Sequence, residues 1–143
     1  MAQPAPAPAT RAIGPAAPVR TFRLKYAPHF GMFEQSAGKD LVAALRYTRG
    51  HAIVSGEEQA LELNIETNTY TAPERPAEEL PGKMELRLVT AAEEQTSQTT
   101  GRIRFYPDGS STGGKVRLIS GEREWQVQVG WLTGEVRLRE ATP

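Results

Sequence analysis

The chain has 143 residues, of which 38% are hydrophobic, so it can bury one modest core and matches the usual size of a single domain. Lysine and arginine together number 17, and so do aspartate and glutamate, which leaves no overall basic field to attract nucleic acid or an anionic membrane. The absence of cysteine excludes disulfides, thiolate nucleophiles and Cys-ligated zinc.

The first part of the chain differs in composition from the rest. Residues 1–20 are rich in proline and alanine, and residues 21–39 mix aromatics with glycines, so residues 1–39 are predicted to be an arm and junction segment that is largely disordered. The longest apolar runs, such as residues 41–45, fall far short of the roughly 20 residues that span a bilayer. The sequence as written therefore predicts a soluble chain whose folded domain covers residues 40–143.

That domain opens with a helix. Between residues 40 and 55, Leu41, Leu45, Thr48 and Ala52 recur at helical spacing, with Arg46 and Arg49 pointing away from this stripe, and Gly56 supplies a stop signal. From residue 59 onward the period changes to two. This alternation predicts strands at 61–65, near Tyr70, and at 84–88, 102–106, 115–120, 124–130 and 135–139, with a proline-rich loop at 73–82 and a polar loop at 91–101. The predicted fold class is α+β, one N-terminal helix followed by an antiparallel sheet or a two-sheet head.

Two tryptophans lie in the penultimate strand. Trp125, Val127, Val129 and Trp131 alternate along the chain and would share one face of a strand. We therefore expect both tryptophans in the core.

The stretch FYPDGSSTGGKVRL, residues 105–118, has nearly the spacing of a phosphate-binding P-loop, Gly109 and then Gly114-Lys115. A P-loop opens a helix and places Ser or Thr after the lysine, whereas Val116 follows here and begins an alternating strand pattern. The stretch is predicted to be a hairpin loop, and no nucleotide site is expected.

Few residues suggest chemistry. His29 and His51 have no partner at metal-ligand spacing, and the acidic pairs Glu57-Glu58, Glu78-Glu79 and Glu93-Glu94 fall in predicted turns or loops where charge is solvated. Gly109-Ser110-Ser111-Thr112-Gly113 has the Gly-x-Ser-x-Gly spacing of a nucleophile elbow, but that motif needs a strand-to-helix turn and a strand pattern follows here, so neither serine is expected to be a nucleophile. Five strand arginines are interleaved with acids and indicate a solvated sheet face rather than a nucleic-acid platform: Arg102, Arg104, Arg117, Arg137 and Arg139. We expect no catalytic, cofactor or metal residues, and no enzyme.

Two C-terminal motifs carry a family resemblance. RIRFYPDGSSTGG at 102–114 followed by WQVQVGWLTG at 125–134, together with LVAALRYTR at 41–49 and AIVSG at 52–56, resembles the H-type minor pseudopilins of type II secretion systems over about residues 40–139. The resemblance implies a pilin-like head, a structural role in protein export, a periplasmic or inner-membrane-associated location, and other pseudopilins as partners. It also implies head contacts through helix and sheet surfaces, with an exposed strand edge and the loop at 91–101 giving specificity.

The N-terminal region departs from that family. Its members resemble prepilins, with a basic leader, a cleavage site and an apolar anchor helix, and none of these is written here, so membrane association is expected only if such a helix is supplied. Instead LKYAPHFGMF at 24–33 and SAGKD at 36–40 resemble the first strand and loop of sugar-isomerase barrels of the hydroxypyruvate isomerase type. Two alternatives follow, a fragment of or fusion with such a barrel enzyme, and a type IV pilus minor pilin.

Overall fold

The computed structural model describes residues 27–81 and 84–141. The helix α1 covers Ala27–Ser55, so it begins 13 residues before the predicted start at residue 40. Residues 27–39 are therefore helical, which corrects both the expected disorder there and the strand suggested by the resemblance to isomerase barrels. The predicted arm at residues 1–20 lies outside the described residues.

The predicted helix stripe is confirmed. Leu41, Leu45, Thr48 and Ala52 are fully buried, and the Thr48 hydroxyl donates to the Ala44 carbonyl oxygen at 2.8 Å, which satisfies its polar group inside the core. The helix ends at Ser55, and the next residue, Gly56, has φ +71° and donates its N–H to the Ala52 carbonyl. A left-handed residue at this position is the usual helix stop.

In the described residues after the helix, eight strands form two antiparallel sheets. They are β1 (Gln59–Asn64), β2 (Thr69–Thr71), β3 (Glu78–Glu79), β4 (Glu85–Thr90), β5 (Thr100–Phe105), β6 (Gly114–Ser120), β7 (Arg123–Val129) and β8 (Val136–Ala141). The first sheet has the strand order β3-β2-β1-β5 and the second has the order β4-β6-β7-β8. The α+β prediction of one helix followed by a two-sheet head is confirmed.

Both sheets and the helix contribute to one hydrophobic core. Strand β5 shows the alternation most clearly, because Gly101, Ile103 and Phe105 are buried while Thr100, Arg102 and Arg104 are only partly so. The other buried strand residues include Leu61, Leu63, Leu86, Val116, Leu118 and Val127. This alternation is why the period of two located most of the strands, whereas the two-residue β3 lies within the predicted proline-rich loop at 73–82.

The glycine-rich stretch folds back on the end of β5 only locally, through an antiparallel bridge between Phe105 and Ser111, and is not a hairpin between β5 and β6. Strands β5 and β6, which flank it, belong to different sheets and do not pair with each other. The stretch instead carries the chain from one sheet to the other. A strand follows its glycines, as predicted: β6 begins at Gly114, and Lys115 is its second residue.

The two tryptophans differ in their environments. Trp125 is partly buried and packs against the core, whereas Trp131 is 68% exposed, so the prediction of a buried Trp131 is wrong. Strand β7 ends at Val129, and Gly130 starts a turn in which the Gly134 N–H donates to the Gly130 carbonyl. Because the alternation stops with the strand, Trp131 does not continue the buried face.

Candidate partner-binding surface

Arg49 on α1 joins the two C-terminal motif loops. Its Nε atom donates to the Gly109 carbonyl oxygen at 2.9 Å and to the Thr133 carbonyl oxygen at 3.2 Å. One turn earlier, Arg46 donates to the Val136 carbonyl at 3.1 Å. Hydrogen bonds from a charged donor are among the stronger ones in proteins. Of the two arginines that the sequence placed away from the core stripe, Arg49 therefore holds the loops that follow β5 and β7, and Arg46 holds the start of β8.

Two glycines make this contact possible. Gly109 has φ +91° and Gly134 has φ +72°, which are backbone conformations that residues with a side chain rarely adopt. A Cβ atom on Gly109 would lie 2.7 Å from an Arg49 guanidinium nitrogen, and one on Gly134 would collide with the Gly109 carbonyl oxygen. Both motifs thus need glycine at the point where they meet Arg49.

The loop after β5 is held by its own polar groups. Asp108 accepts from the Ser110 N–H at 3.0 Å and from the Ser110 hydroxyl at 2.6 Å, and these hydrogen bonds lower the pKa of Asp108. The buried Ser111 hydroxyl donates to the Arg104 carbonyl and accepts from the Gly113 N–H at 2.9 Å. Both serines of the Gly-x-Ser-x-Gly stretch therefore bond to their own loop and shape its backbone.

The loop after β7, residues 130–135, is here called the tryptophan loop. The Trp131 carbonyl accepts from the Ser111 N–H at 2.9 Å, and the Gly130 N–H donates to the Glu135 carbonyl at 2.9 Å, which closes the loop base. Its two apolar side chains face solvent, because Trp131 is 68% exposed and Leu132 is 69% exposed. Paired large apolar side chains on a hydrogen-bonded loop are typical of a protein–protein contact, in which tryptophan is enriched.

The end of α1 adds further exposed apolar surface. Ile53 lies one turn beyond Arg49 on the same helix face and is 44% exposed, and the neighbouring Val54 is 88% exposed. Sequence periodicity did not predict this exposed surface, because an apolar residue next to a buried helix stripe is normally expected to lie in the core.

The expected solvation of the acidic pairs holds for five of their six residues. Glu57, Glu58, Glu78, Glu79 and Glu93 are exposed, but Glu94 is 6% exposed and accepts from Arg104 Nε at 3.1 Å. This contact is the largest cause of a raised Arg104 pKa. Glu94 ends a short 3-10 turn, Ala92–Glu94, so it points inward from a loop that composition alone describes as polar.

The strand arginines are mostly paired with acids. Arg117 contacts Glu124 through two hydrogen bonds of 2.8 and 2.9 Å, and these, together with a bond from Gln126, lower the pKa of Glu124 to about 2. Arg137 lies 3.2 Å from Glu135. Arg139 is exposed, and Arg102 is half-buried. The arrangement fits the predicted solvated face.

The structure describes the surroundings of one of the two histidines, His51. His51 is partly buried, stacks on Tyr47 with ring centroids 5.8 Å apart, and lies 3.6 Å from the Glu74 carboxylate, so it has a neighbouring acid that its sequence spacing did not indicate. His29 lies within α1, and its side chain is outside the described residues.

Among residues whose side chains are described, no three carboxylate or imidazole groups converge as metal ligands. The described helix also lacks the apolar length required to cross a membrane.

Across residues 27–81 and 84–141 one helix packs on two antiparallel sheets and strands do not alternate with helices, which is the architecture of a pilin-like head. A sequence model of the family described as "Type II transport protein GspH" matches residues 37–133, and the chain belongs to that family. The match includes Arg49, Gly109 and Trp131 and ends one residue before Gly134.

One relative in sequence and one solved structure of similar fold add detail. The type II secretion system protein H of Xanthomonas campestris pv. campestris is 42% identical over 107 residues, which make up 75% of this chain and 63% of that protein. This chain therefore spans less than two thirds of that relative's length. The structure of the minor pseudopilin EpsH from the type 2 secretion system of Vibrio cholerae superposes with a TM-score of 0.59 at 13% identity, covering 75% of this chain and 96% of that one. At this identity the likeness shows the fold.

Proposed function

We propose that the described domain is the head of a minor pseudopilin, a non-enzymatic structural subunit of a type II secretion pseudopilus. Membership of the GspH family and 42% identity to a type II secretion protein H support this role. Other pseudopilins are the proposed partners, and the periplasm is the proposed location of the head.

One structural observation points to where the head meets a neighbour. Trp131 and Leu132 are more than two thirds exposed, yet the loop that carries them is fixed to α1 through Arg49 and to the preceding loop through Ser111. Holding the loop in one conformation lowers the entropy lost on binding. The tryptophan loop is therefore the proposed contact with an adjacent pseudopilin.

Photo-cross-linking in the organism that encodes the chain tests this proposal. A benzophenone amino acid at position 132 in the chromosomal gene should cross-link to another pseudopilin. The same amino acid at Glu122, an exposed residue, is the matched control. Glu122 lies in the turn before β7, whereas the tryptophan loop follows β7, so the two sites are about 20 Å apart.

Deletion of the gene supplies the functional readout. Loss of the subunit should abolish release of enzymes exported by the type II pathway, and the wild-type gene should restore it. Normal secretion after deletion, or cross-links from position 132 only to proteins outside the secretion system, would overturn the proposed function.

A further inference from the structure

A groove of about 440 Å³ lies between α1 and the segment around β3. Small residues form much of its wall, namely Ala43 and Ala44 on the helix and Ala72 and Pro76 opposite. The polar residues that line it are Asp40, Tyr47, Tyr70, Arg75 and Glu78. The groove is separate from the Arg49 contact and from the tryptophan loop.

One part of the groove is acidic. Asp40 and Glu78 both line it, and neither forms a salt bridge with another described residue. Glu78 stands directly opposite Tyr70 in the β2–β3 pair, so their side chains are cross-strand neighbours. Two carboxylates and a phenol therefore share this part of the groove.

Tyr70 supplies independent evidence that the groove lacks a partner. The residue is only 6% exposed, it lines the groove, and its hydroxyl makes no hydrogen bond to the described residues. Burial, followed by the Asp40 and Glu78 carboxylates, raises the pKa of Tyr70 to about 12. The ring is buried but the hydroxyl oxygen is not among the buried atoms without a partner, so it opens on the groove and can accept from a donor that enters there.

Among the described residues, the one arginine that lines the groove, Arg75, packs on an aromatic ring of the groove wall. The Arg75 guanidinium lies 4.2 Å from the centre of the Tyr47 ring, and the Tyr47 hydroxyl donates to the Pro73 carbonyl at 3.2 Å. Tyr47 is seven helical residues from Asp40, which corresponds to about 10 Å along the helix axis. Arg75 therefore packs on a helix residue about two turns away from Asp40 and forms no salt bridge with Asp40 or Glu78.

We infer that this groove binds a basic side chain, lysine or arginine, from a neighbouring pseudopilin. The inference rests on the proposed function for the identity of the partner. The aliphatic stem of such a side chain would lie against Ala43, Ala44 and Ala72, and its charged head would donate to the Asp40 and Glu78 carboxylates and to the Tyr70 oxygen. The small apolar wall thus matches the aliphatic stem of a long basic side chain, and the carboxylate and phenol oxygens match its charged head.

The binding test uses the isolated chain and is independent of secretion. Two-dimensional amide NMR spectra are recorded while N-acetyl-lysine methylamide is added up to about 50 mM, a range suited to the weak affinity of a single side chain. The uncharged control is N-acetyl-norleucine methylamide. We expect concentration-dependent shifts at the amides of Asp40, Ala44 and Tyr70 with the lysine probe, and none at these positions with norleucine.

Matched variants locate the site. Asp40→Asn combined with Glu78→Gln should weaken binding of the lysine probe about tenfold, since two partly exposed ion pairs are lost. Glu62→Gln combined with Glu66→Gln removes two exposed carboxylates outside the groove and should leave binding unchanged. Tyr70→Phe deletes only the hydroxyl and should weaken binding of the lysine probe about threefold. This variant provides the test if the double groove variant does not fold.

Two results would overturn the inference. One is the absence of localised shifts with the lysine probe, and the other is tighter binding of calcium chloride at the same amides, which would make the groove a metal site. Either result would leave the pseudopilin proposal intact, since that depends on cross-linking at position 132. Conversely, normal secretion after gene deletion would refute the pseudopilin role whether or not the groove binds lysine.

Discussion

Replacing Gly134 by alanine should destabilise the head far more than replacing Gly121, although both glycines have a similar left-handed backbone. Gly134 has φ +72° and Gly121 has φ +62°. A Cβ on Gly121 would meet no atom within 4 Å, whereas one on Gly134 would collide with the Gly109 carbonyl oxygen and lie 2.9 Å from Arg49 Nε. The pair therefore separates the cost of the backbone conformation from the cost of the contact.

The magnitudes follow from these surroundings. A left-handed conformation costs a residue with a side chain about 1 kcal/mol, and Gly121→Ala should lose only this amount. Gly134→Ala should lose the same amount plus about 2 kcal/mol, because its methyl group displaces the charged-donor hydrogen bonds of Arg49. With a urea slope of about 2 kcal/mol per molar, this difference moves the unfolding midpoint by about 1 M.

Urea titration followed by far-ultraviolet circular dichroism measures both variants against the wild type. A double-mutant cycle with Arg49→Ala adds a second test, because two changes that break one contact should together cost about 1 kcal/mol less than their sum. Equal midpoints for the two glycine variants, or strict additivity with Arg49→Ala, would refute the reasoning.

Three further predictions concern single side chains. Arg49→Ala should lower the free energy of unfolding by about 2 kcal/mol in urea titration, whereas Arg87→Ala, which removes an exposed ion pair, should lower it by less than about 0.5 kcal/mol. Trp131→Ala should also change stability by less than about 0.5 kcal/mol, yet calorimetric titration should show affinity for a neighbouring pseudopilin reduced about 30-fold. The pKa of Glu124 is lowered from 4.5 to about 2, so its stabilising contribution is complete above the unfolded value and is lost as pH falls from 4.5 towards 2. Glu124→Gln should therefore reduce the decline in urea midpoint over this acidic range.

Each of these has a contrary outcome. Equal losses for the two arginine variants would show that the Arg49 contact contributes no more than an exposed pair. A Trp131→Ala protein that unfolds well before the wild type would mean that the ring is packed in solution, and an unchanged acid profile for Glu124→Gln would mean that other carboxylates control acid stability.

Sequence periodicity predicted most of the elements, because burial alternates wherever a strand has one face on the core. It failed where the element itself ended: Trp131 has the spacing of a core residue, but β7 stops at Val129. It also placed the helix start too late, because Pro28, Gly31 and Gly38 are poor helix formers and interrupt the pattern before residue 40.

Contacts between distant residues were beyond the reach of the sequence pattern. Arg49 is 60 residues from Gly109 and 84 from Thr133, and no local pattern indicates that one side chain bonds both. Glu94 illustrates the same limit, because it is buried by an arginine on β5 that reaches back across the 3-10 turn. The candidate surface arises from these long-range contacts, while the elements that carry it arise from local alternation.

Each glycine of the stretch that resembled a P-loop is required for a different physical reason. Gly109 leaves room for Arg49, a Cβ on Gly113 would lie 3.2 Å from the Trp131 Cβ, and one on Gly114 would lie 2.9 Å from the Val89 carbonyl oxygen. Three separate close approaches, to the helix, to the tryptophan loop and to the edge strand β4, therefore fall within six residues. The glycines are required because the chain passes between two sheets at a point where the helix and both neighbouring segments crowd it, and this crowding also fixes the loop that presents Trp131.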